Sequence, residues 1–238
     1  CIWGLGTAAA HSDVALVRRS AVIQFERAAK VRSPCPRAMA FAALGAAELL
    51  AVDPGQPVAR KLLADYAETV AKPNGDAAWP WPEPRLTYAN AVLAEAMIAA
   101  GVALDDSGLW HQGLDLLGWL VEYETVGGHL SPTPAAGRGP DDLRPGFDQQ
   151  PIEVSTLADA CARAAVIDPD SIWLDGVRAA AAWFMGVNDA RALMWDPETG
   201  GGFDGLHADG VNRNQGAEST LAVLSTMQHA RHFSAVYQ

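Results

Sequence analysis

The chain has 238 residues, half of them hydrophobic by a broad count, which suffices for a sizeable core and excludes a disordered chain. Its 17 basic and 28 acidic side chains give a net charge of −11, which argues against a nucleic-acid partner because phosphate backbones are repelled. The three cysteines, Cys1, Cys35 and Cys161, have no short spacing, so neither a disulfide framework nor a zinc site is expected.

The start of the chain carries no basic-then-apolar leader, and no run of about 18 apolar residues follows it. We therefore expect a cytoplasmic chain without a membrane span, and an odd number of cysteines fits a reducing compartment. The first residue is Cys1 rather than Met, so the sequence is expected to be a fragment of a longer chain. Its length predicts a single domain over residues 1–238.

Apolar residues recur at intervals of three and four along most of the chain, and strand patterns are scarce. This periodicity predicts an all-α fold. Prolines and acidic residues in short breaks, such as 53–55 and 168–171, mark places where one helix stops and the next begins. In chain order, helices are predicted over residues 2–10, 13–31, 36–52, 56–72, 87–100, 108–124, 151–167, 171–186 and 215–232.

The links between these helices alternate between short and long. Short links make neighbouring helices antiparallel, so the long loops at 73–86, 125–150 and 187–214 are expected to share one face. The helices that follow the long loops are poor in charge and are expected to be buried, as in residues 217–227. Helices such as 56–72 are amphipathic and are expected to form an outer layer.

An inner ring of helices inside an outer ring is an α/α toroid, which is the predicted fold class. A complete ring of six helical hairpins needs about twelve helices, so this ring is expected to be incomplete or truncated at its N-terminus. A helical solenoid would show the same alternation of link lengths and remains the alternative.

The first long loop carries two tryptophans held between prolines, Trp79 and Trp81, followed by Glu83. Rigid, partly exposed aromatic rings beside a carboxylate suit the binding of a sugar ring, and Tyr88 and Asn90 follow at once. The alternative is that the tryptophans plug the core while Glu83 is solvated.

The second and third loops each bring amides and acids to the start of a helix. Amide side chains both donate and accept hydrogen bonds, which suits a polyhydroxyl ligand. The alternative is that these residues cap the helices that follow. The candidates are Asp148, Gln149, Gln150 and Glu153 in the second loop, and Asp204, Asn214, Gln215 and Glu218 in the third.

Glycoside hydrolases use a pair of carboxyl groups that face each other across a polar cavity. The predicted acid–base candidates are Glu83, Asp148, Glu153 and Glu218, and the other loop residues named above are predicted to line the sugar site. Motifs for a phosphate-binding loop, a zinc protease or a nucleophile elbow are missing, so no cofactor and no metal are predicted.

Several strings in these loops resemble a helical domain of bacterial proteins commonly labelled glycosyltransferase. They are WPWPE, LTYANA, GHLSP, FDQQPIE, AWFMGVND and NRNQGAEST. The resemblance covers nearly the whole chain and implies a fold like the six-hairpin glycosidase toroids. It also implies an acidic residue where Ala89 stands, which is one departure. The chain has no βαβ pattern for a nucleotide sugar, so the transferase label is expected to belong to a neighbouring domain.

The leading hypothesis is a carbohydrate-active toroid, like a glycoside hydrolase, whose ligand is a glycan or small sugar. The alternative is a non-catalytic glycan-binding or accessory domain that works with a glycosyltransferase. A third hypothesis is a purely structural helical scaffold, in which the loop acids only cap helices.

Overall fold

Helices make up most of the structure. A computed structural model describes residues 1–70 and 72–236, and within them it has nine helices and two short β-hairpins. The all-α prediction is confirmed. The elements are α1 (Ile2–His11), α2 (Ala15–Ala28), α3 (Pro36–Val52), α4 (Pro57–Thr69), α5 (Ala91–Leu104), α6 (Ser107–Glu124), β1 (Thr125–Val126), β2 (His129–Leu130), α7 (Pro151–Ile167), α8 (Ser171–Phe184), β3 (Gly205–His207), β4 (Gly210–Asn212) and α9 (Ala217–Val236).

Most helix ends fall within a few residues of their predicted positions. α3 and α7 begin and end as predicted, and each has a proline in its first turn. The N–H groups of a first turn have no acceptor within the helix, so a proline there removes no hydrogen bond. α4 ends at Thr69 rather than at residue 72, and residue 71 lies outside the described residues. The helix predicted from residue 87 begins only at Ala91, because residues 87–90 form a turn.

The chain forms two compact units. Unit 1 contains Cys1–Lys72 and Val92–Asp115, and unit 2 contains Pro73–Ala91 and Leu116–Gln238. In unit 1, α1 packs on α2 and α3, and α3 packs on α4. In unit 2, α7, α8 and α9 pack on one another, and the β1–β2 hairpin packs on α8 through β2.

Two glycines allow α1 and α3 of unit 1 to cross closely. A Cβ atom on Gly6 would overlap the backbone of Gly45, and a Cβ atom on Gly45 would lie 2.5 Å from the carbonyl oxygen of Ile2. A Cβ atom on Gly4, in the same helix, would meet no described atom outside α1 within 4 Å. The crossing therefore depends on Gly6 and Gly45.

Backbone hydrogen bonds join the three long loops, all of which belong to unit 2. Leu86 and Arg138 exchange two N–H···O bonds of 2.8 and 2.9 Å, which join the first loop to the second. Gln149 and Leu206 exchange two more, of 3.0 and 2.8 Å, which join the second loop to the third. These bonds connect the three loops directly, while their placement on one face of the helices stays a prediction.

α9 is more open than its sequence predicts. Leu221 and Leu224 are 65 % and 50 % exposed, whereas residues 91–100 of α5 are buried throughout. Low charge alone therefore does not separate a helix buried on all sides from one with an open apolar face. α9 is also the longest helix, yet none of the described helices is long and apolar enough to cross a bilayer.

The close crossing in unit 1 can be tested by alanine substitution. Gly6→Ala is expected to lower the free energy of unfolding by about 1–3 kcal/mol, because the added methyl group forces α1 away from α3. Gly4→Ala is the matched control and is expected to raise it, by at most about 1 kcal/mol, since alanine favours helix more than glycine does. Urea unfolding measures both, and equal effects at the two positions would contradict the crossing.

Candidate functional site

The two loop tryptophans belong to a buried aromatic cluster. Trp81 is 0 % exposed and Trp79 is 6 % exposed. The Trp81 ring stacks on Trp119 of α6 with 6.0 Å between centroids, and Trp79 meets Trp119 edge-on at 5.3 Å. The Nε1–H of Trp79 donates to the carbonyl oxygen of Glu83 at 2.9 Å, and Glu83 is itself half-buried. The predicted exposure of both rings is wrong, because the proline-fixed loop folds them into the core.

A buried carboxyl group holds the turn at residues 87–90. Glu153, in the first turn of α7, is 5 % exposed. Its Oε1 accepts the backbone N–H of Ala89 at 2.5 Å, and its Oε2 accepts the backbone and side-chain N–H groups of Asn90 at 3.2 and 2.9 Å. The Oδ1 of Asn90 accepts the N–H of Thr87 at 2.8 Å. We call Glu153, Asn90 and the turn 87–90 the Glu153 clamp.

The clamp holds an unusual backbone conformation. Ala89 has a φ of +46°, in the left-handed region that residues other than glycine seldom adopt. Such a conformation persists where the surrounding structure over-determines it. The hydrogen bonds of Glu153 to the N–H groups of Ala89 and Asn90 supply that restraint.

The clamp corrects two predictions. Glu153 was expected to be either a catalytic acid or a cap on its own helix, but its carboxylate is buried and bonds the turn that precedes α5. At the N-cap of α7, the half-buried Gln150 makes no side-chain capping bond. Asn90 was expected to line a sugar site, but it is 0 % exposed and uses its amide inside the clamp. Both side chains position the turn.

Burial raises the pKa of Glu153 to about 8. The neighbouring carboxyl of Glu124 acts in the same direction, and hydrogen bonds from the turn oppose burial without outweighing it. Burial also raises the pKa of Glu124, which accepts the N–H and hydroxyl of Thr133 at 2.8 and 2.5 Å. Unit 2 therefore contains two neighbouring buried carboxyl groups. The sequence did not reveal Glu124, since an acid on an amphipathic helix is usually solvated.

The clamp presents Tyr88 to solvent beside Glu218. Tyr88 is 44 % exposed, and its hydroxyl donates to Oε2 of Glu218 at 3.4 Å. Glu218 is exposed in the first turn of α9. Partial burial, together with the charges of Glu218 and Glu153, raises the pKa of Tyr88, so its hydroxyl remains a donor at neutral pH. Two predicted residues thus form an accessible aromatic–carboxylate pair.

Gln149 is a structural residue and not a surface ligand. It is 0 % exposed, and its amide donates to Oδ2 of Asp189 at 2.6 Å and accepts from Nε1 of Trp183 at 3.2 Å. The predicted role in sugar binding is wrong, because the amide stabilises the loop junction. The sequence did not reveal Asp189. Burial acts to raise its pKa, but the hydrogen bonds with Gln149 and His129 outweigh burial and lower it.

Asp148 lies beside the loop junction with a partly exposed carboxylate. Its side chain is 34 % exposed, and its Oδ1 lies 3.4 Å from Nε2 of His207, which is 47 % exposed. Within the described part of the chain, no donor makes a hydrogen bond to that oxygen. The backbone of Gly205 packs against it so tightly that a Cβ atom there would overlap the carboxylate. Asp148 thus has one buried oxygen without a hydrogen-bond donor, while its side chain as a whole stays partly exposed beside His207.

The remaining predicted ligands brace the start of α9. Asp204 accepts hydrogen bonds from the hydroxyl of Ser219, the N–H of Gly216 at 2.8 Å and the side-chain amide of Asn214. These bonds, with that of Ser219 the largest, lower the pKa of Asp204. The exposed Gln215 bonds to the third loop through both ends of its amide. The geometry therefore matches the capping alternative for Asp204.

Comparison with known proteins adds no assignment: no protein-family model matches the chain, and no curated protein matches it significantly. The carbohydrate hypothesis therefore depends on the loop strings and on the geometry of the site. Within the described residues, no group of three or more acidic, histidine or cysteine side chains could hold a metal ion.

The burial of the tryptophans has a measurable consequence. Trp81→Ala is expected to lower the free energy of unfolding by about 3–5 kcal/mol, because it leaves a cavity in the aromatic cluster. Tyr88→Ala, at an exposed aromatic residue of the same segment, is expected to change it by at most about 0.5 kcal/mol. Urea unfolding of both variants compares the two. A small loss for Trp81→Ala would show that the ring is not part of the core.

Glu153 makes stability depend on pH. Its pKa is raised to about 8 in the folded chain, so between the ordinary glutamate value and about pH 8 the folded state binds more protons than the unfolded state. Stability should therefore fall as pH rises through this window. In Glu153→Gln this dependence of stability on pH should become weaker. It should not disappear, because the pKa of Glu124 is raised as well.

Glu153→Gln should also lower stability by about 1–3 kcal/mol at pH 6, because the new NH2 group faces N–H donors that then lack an acceptor. Glu122→Gln, at an exposed glutamate of α6, is the matched control and should change neither quantity. Thermal unfolding across this pH range measures both. If stability depends on pH equally in Glu153→Gln and in the wild-type chain, the pKa of Glu153 is not raised by folding.

Proposed function

We propose that the chain is a carbohydrate-active α/α toroid domain that binds a glycan over Tyr88 and Glu218. The observation that carries this proposal is the exposed ring of Tyr88, fixed by the buried clamp and bonded to a carboxylate. A sugar ring needs a flat apolar face below it and polar groups at its rim, and this pair supplies both. Because the clamp fixes the turn in advance, little ordering cost remains to oppose binding.

Two accessible carboxylates are proposed for acid–base chemistry on that glycan. Glu218 is exposed at the start of α9, and Asp148 is partly exposed beside His207. Glycoside hydrolysis uses one carboxyl group as acid and another as base or nucleophile. Glu83 is a third candidate, since it is only half-buried. Glu153 is excluded from this pair because both of its oxygens accept hydrogen bonds from the turn.

The toroid itself is part of the proposal. The alternation of short and long links supports it, as do the hydrogen bonds that join the three long loops of unit 2. The half-buried Gln150 is proposed to bind sugar hydroxyl groups, whereas the amides of Asn214 and Gln215 are engaged by Asp204 and the third loop. A cytoplasmic location is proposed as well, supported by three cysteines that form no disulfide.

One observation favours a second candidate function. Two of the predicted site acids are committed to structure, Glu153 to the clamp and Asp204 to the start of α9. A domain with few free carboxylates suits a non-catalytic glycan-binding or accessory role beside a glycosyltransferase. In that case the Tyr88–Glu218 pair would bind the sugar without cleaving it.

A panel of oligosaccharides, assayed for binding by calorimetry and for release of reducing ends, tests the proposal. Tyr88→Ala is expected to weaken binding at least about tenfold, or about 1.4 kcal/mol. Asp148→Asn and Glu218→Gln are each expected to lower turnover by about 10²–10⁴-fold, as for loss of an acid–base group, with little change in stability. Glu122→Gln, an exposed glutamate outside the site, is the control.

The outcomes separate the candidates. Turnover that depends on Asp148 and Glu218 supports the hydrolase. Binding that depends on Tyr88, without turnover of any glycan, assigns the accessory role. If the wild-type chain binds none of the panel, or if Glu122→Gln acts like Glu218→Gln, the site assignment is wrong.

A further inference from the structure

α2 of unit 1 has an open face that the proposed carbohydrate site does not use. Among the residues of α2, Ala21 and Phe25 are the buried ones. Leu16 and Ile23 are 65 % and 50 % exposed. Their spacing of seven residues puts them on one face of the helix, so an apolar stripe faces outward.

Basic side chains lie along the same stripe. Arg19 and Arg27 are exposed and lie about one turn from Leu16 and Ile23, respectively, and the exposed Lys30 follows just after the end of α2. Among the described residues, none of these three cations has an ion pair or a side-chain hydrogen bond. We call these five residues the α2 surface. Exposed valines extend it at both ends: Val14, Val17 and Val31.

The α2 surface is locally positive in an acidic chain. Glu26, the one acid on α2, accepts a hydrogen bond of 2.9 Å from the amide of Gln56, which is buried in unit 1. Unit 1 has nine basic and ten acidic side chains, whereas unit 2 has eight and eighteen, so the net charge of −11 resides almost wholly in unit 2. Within α2 itself, three arginines outnumber the single acid.

We propose that the α2 surface binds the anionic face of a lipid bilayer, with the helix lying in the plane of the membrane. Unpaired cations are attracted to anionic headgroups, and apolar side chains on the same face enter the boundary with the acyl chains. A single convex helix face matches a planar bilayer, and a protein partner would need a groove of the right shape. The proposal is independent of the carbohydrate site.

Sedimentation with lipid vesicles tests it, using the whole chain. We expect binding to vesicles of phosphatidylserine mixed with phosphatidylcholine, little binding to phosphatidylcholine alone, and release by salt. Replacing Arg19, Arg27 and Lys30 by Gln should weaken binding about 100-fold, at roughly fivefold for each charge. The control replaces three exposed arginines of unit 2 by Gln, which changes the net charge equally: Arg178, Arg213 and Arg231.

A second variant, Leu16→Ala with Ile23→Ala, should weaken vesicle binding while leaving thermal stability unchanged, because both side chains are exposed. The proposal fails if anionic vesicles bind no protein, or if the control variant loses as much binding as the α2 variant. It also fails if size-exclusion chromatography shows a dimer that the Leu16 and Ile23 substitutions disperse, since the face would then belong to a second copy of the chain.

Discussion

The Glu153 carboxyl and the N–H groups of Ala89 and Asn90 form the interaction on which the candidate site depends. The acceptor lies in the first turn of α7 and the donors lie in the turn before α5, more than sixty residues earlier in the chain. This contact fixes the backbone on the C-terminal side of Tyr88, and the fixed backbone places the Tyr88 hydroxyl beside Glu218 of α9. Three segments distant in sequence thus meet through one buried side chain.

The same contact places an ionisable carboxyl group where a negative charge is unfavourable. Burial and the nearby Glu124 both disfavour a charged Glu153 and raise its pKa, and the N–H donors offset only part of that effect. Folds retain such groups where the specificity of a conformation outweighs its effect on stability. Here the clamp retains a left-handed conformation at Ala89 and an outward-facing Tyr88. For this reason we regard the turn as functional.

Much of the fold could be predicted from the sequence, because helices depend on local periodicity and on breaks such as 53–55. The site could be predicted only in part. Gln149 and Trp81 were expected at the surface because polar and proline-flanked residues usually lie there, but pairing with Leu206 and stacking on Trp119 turn them inward. Those contacts join residues far apart in sequence, and no local pattern encodes them. Glu124 was missed for the same reason.

Amide hydrogen exchange at Ala89 and Asn90, compared between the wild-type chain and Glu153→Gln, tests the clamp most directly. Both amides should exchange slowly in the wild-type chain because Glu153 accepts their hydrogens. In the variant at least one should exchange faster by roughly 5- to 150-fold, the factor that corresponds to about 1–3 kcal/mol for a buried donor left without an acceptor. Fast exchange of both amides in the wild-type chain, or identical rates in the two proteins, would contradict the account.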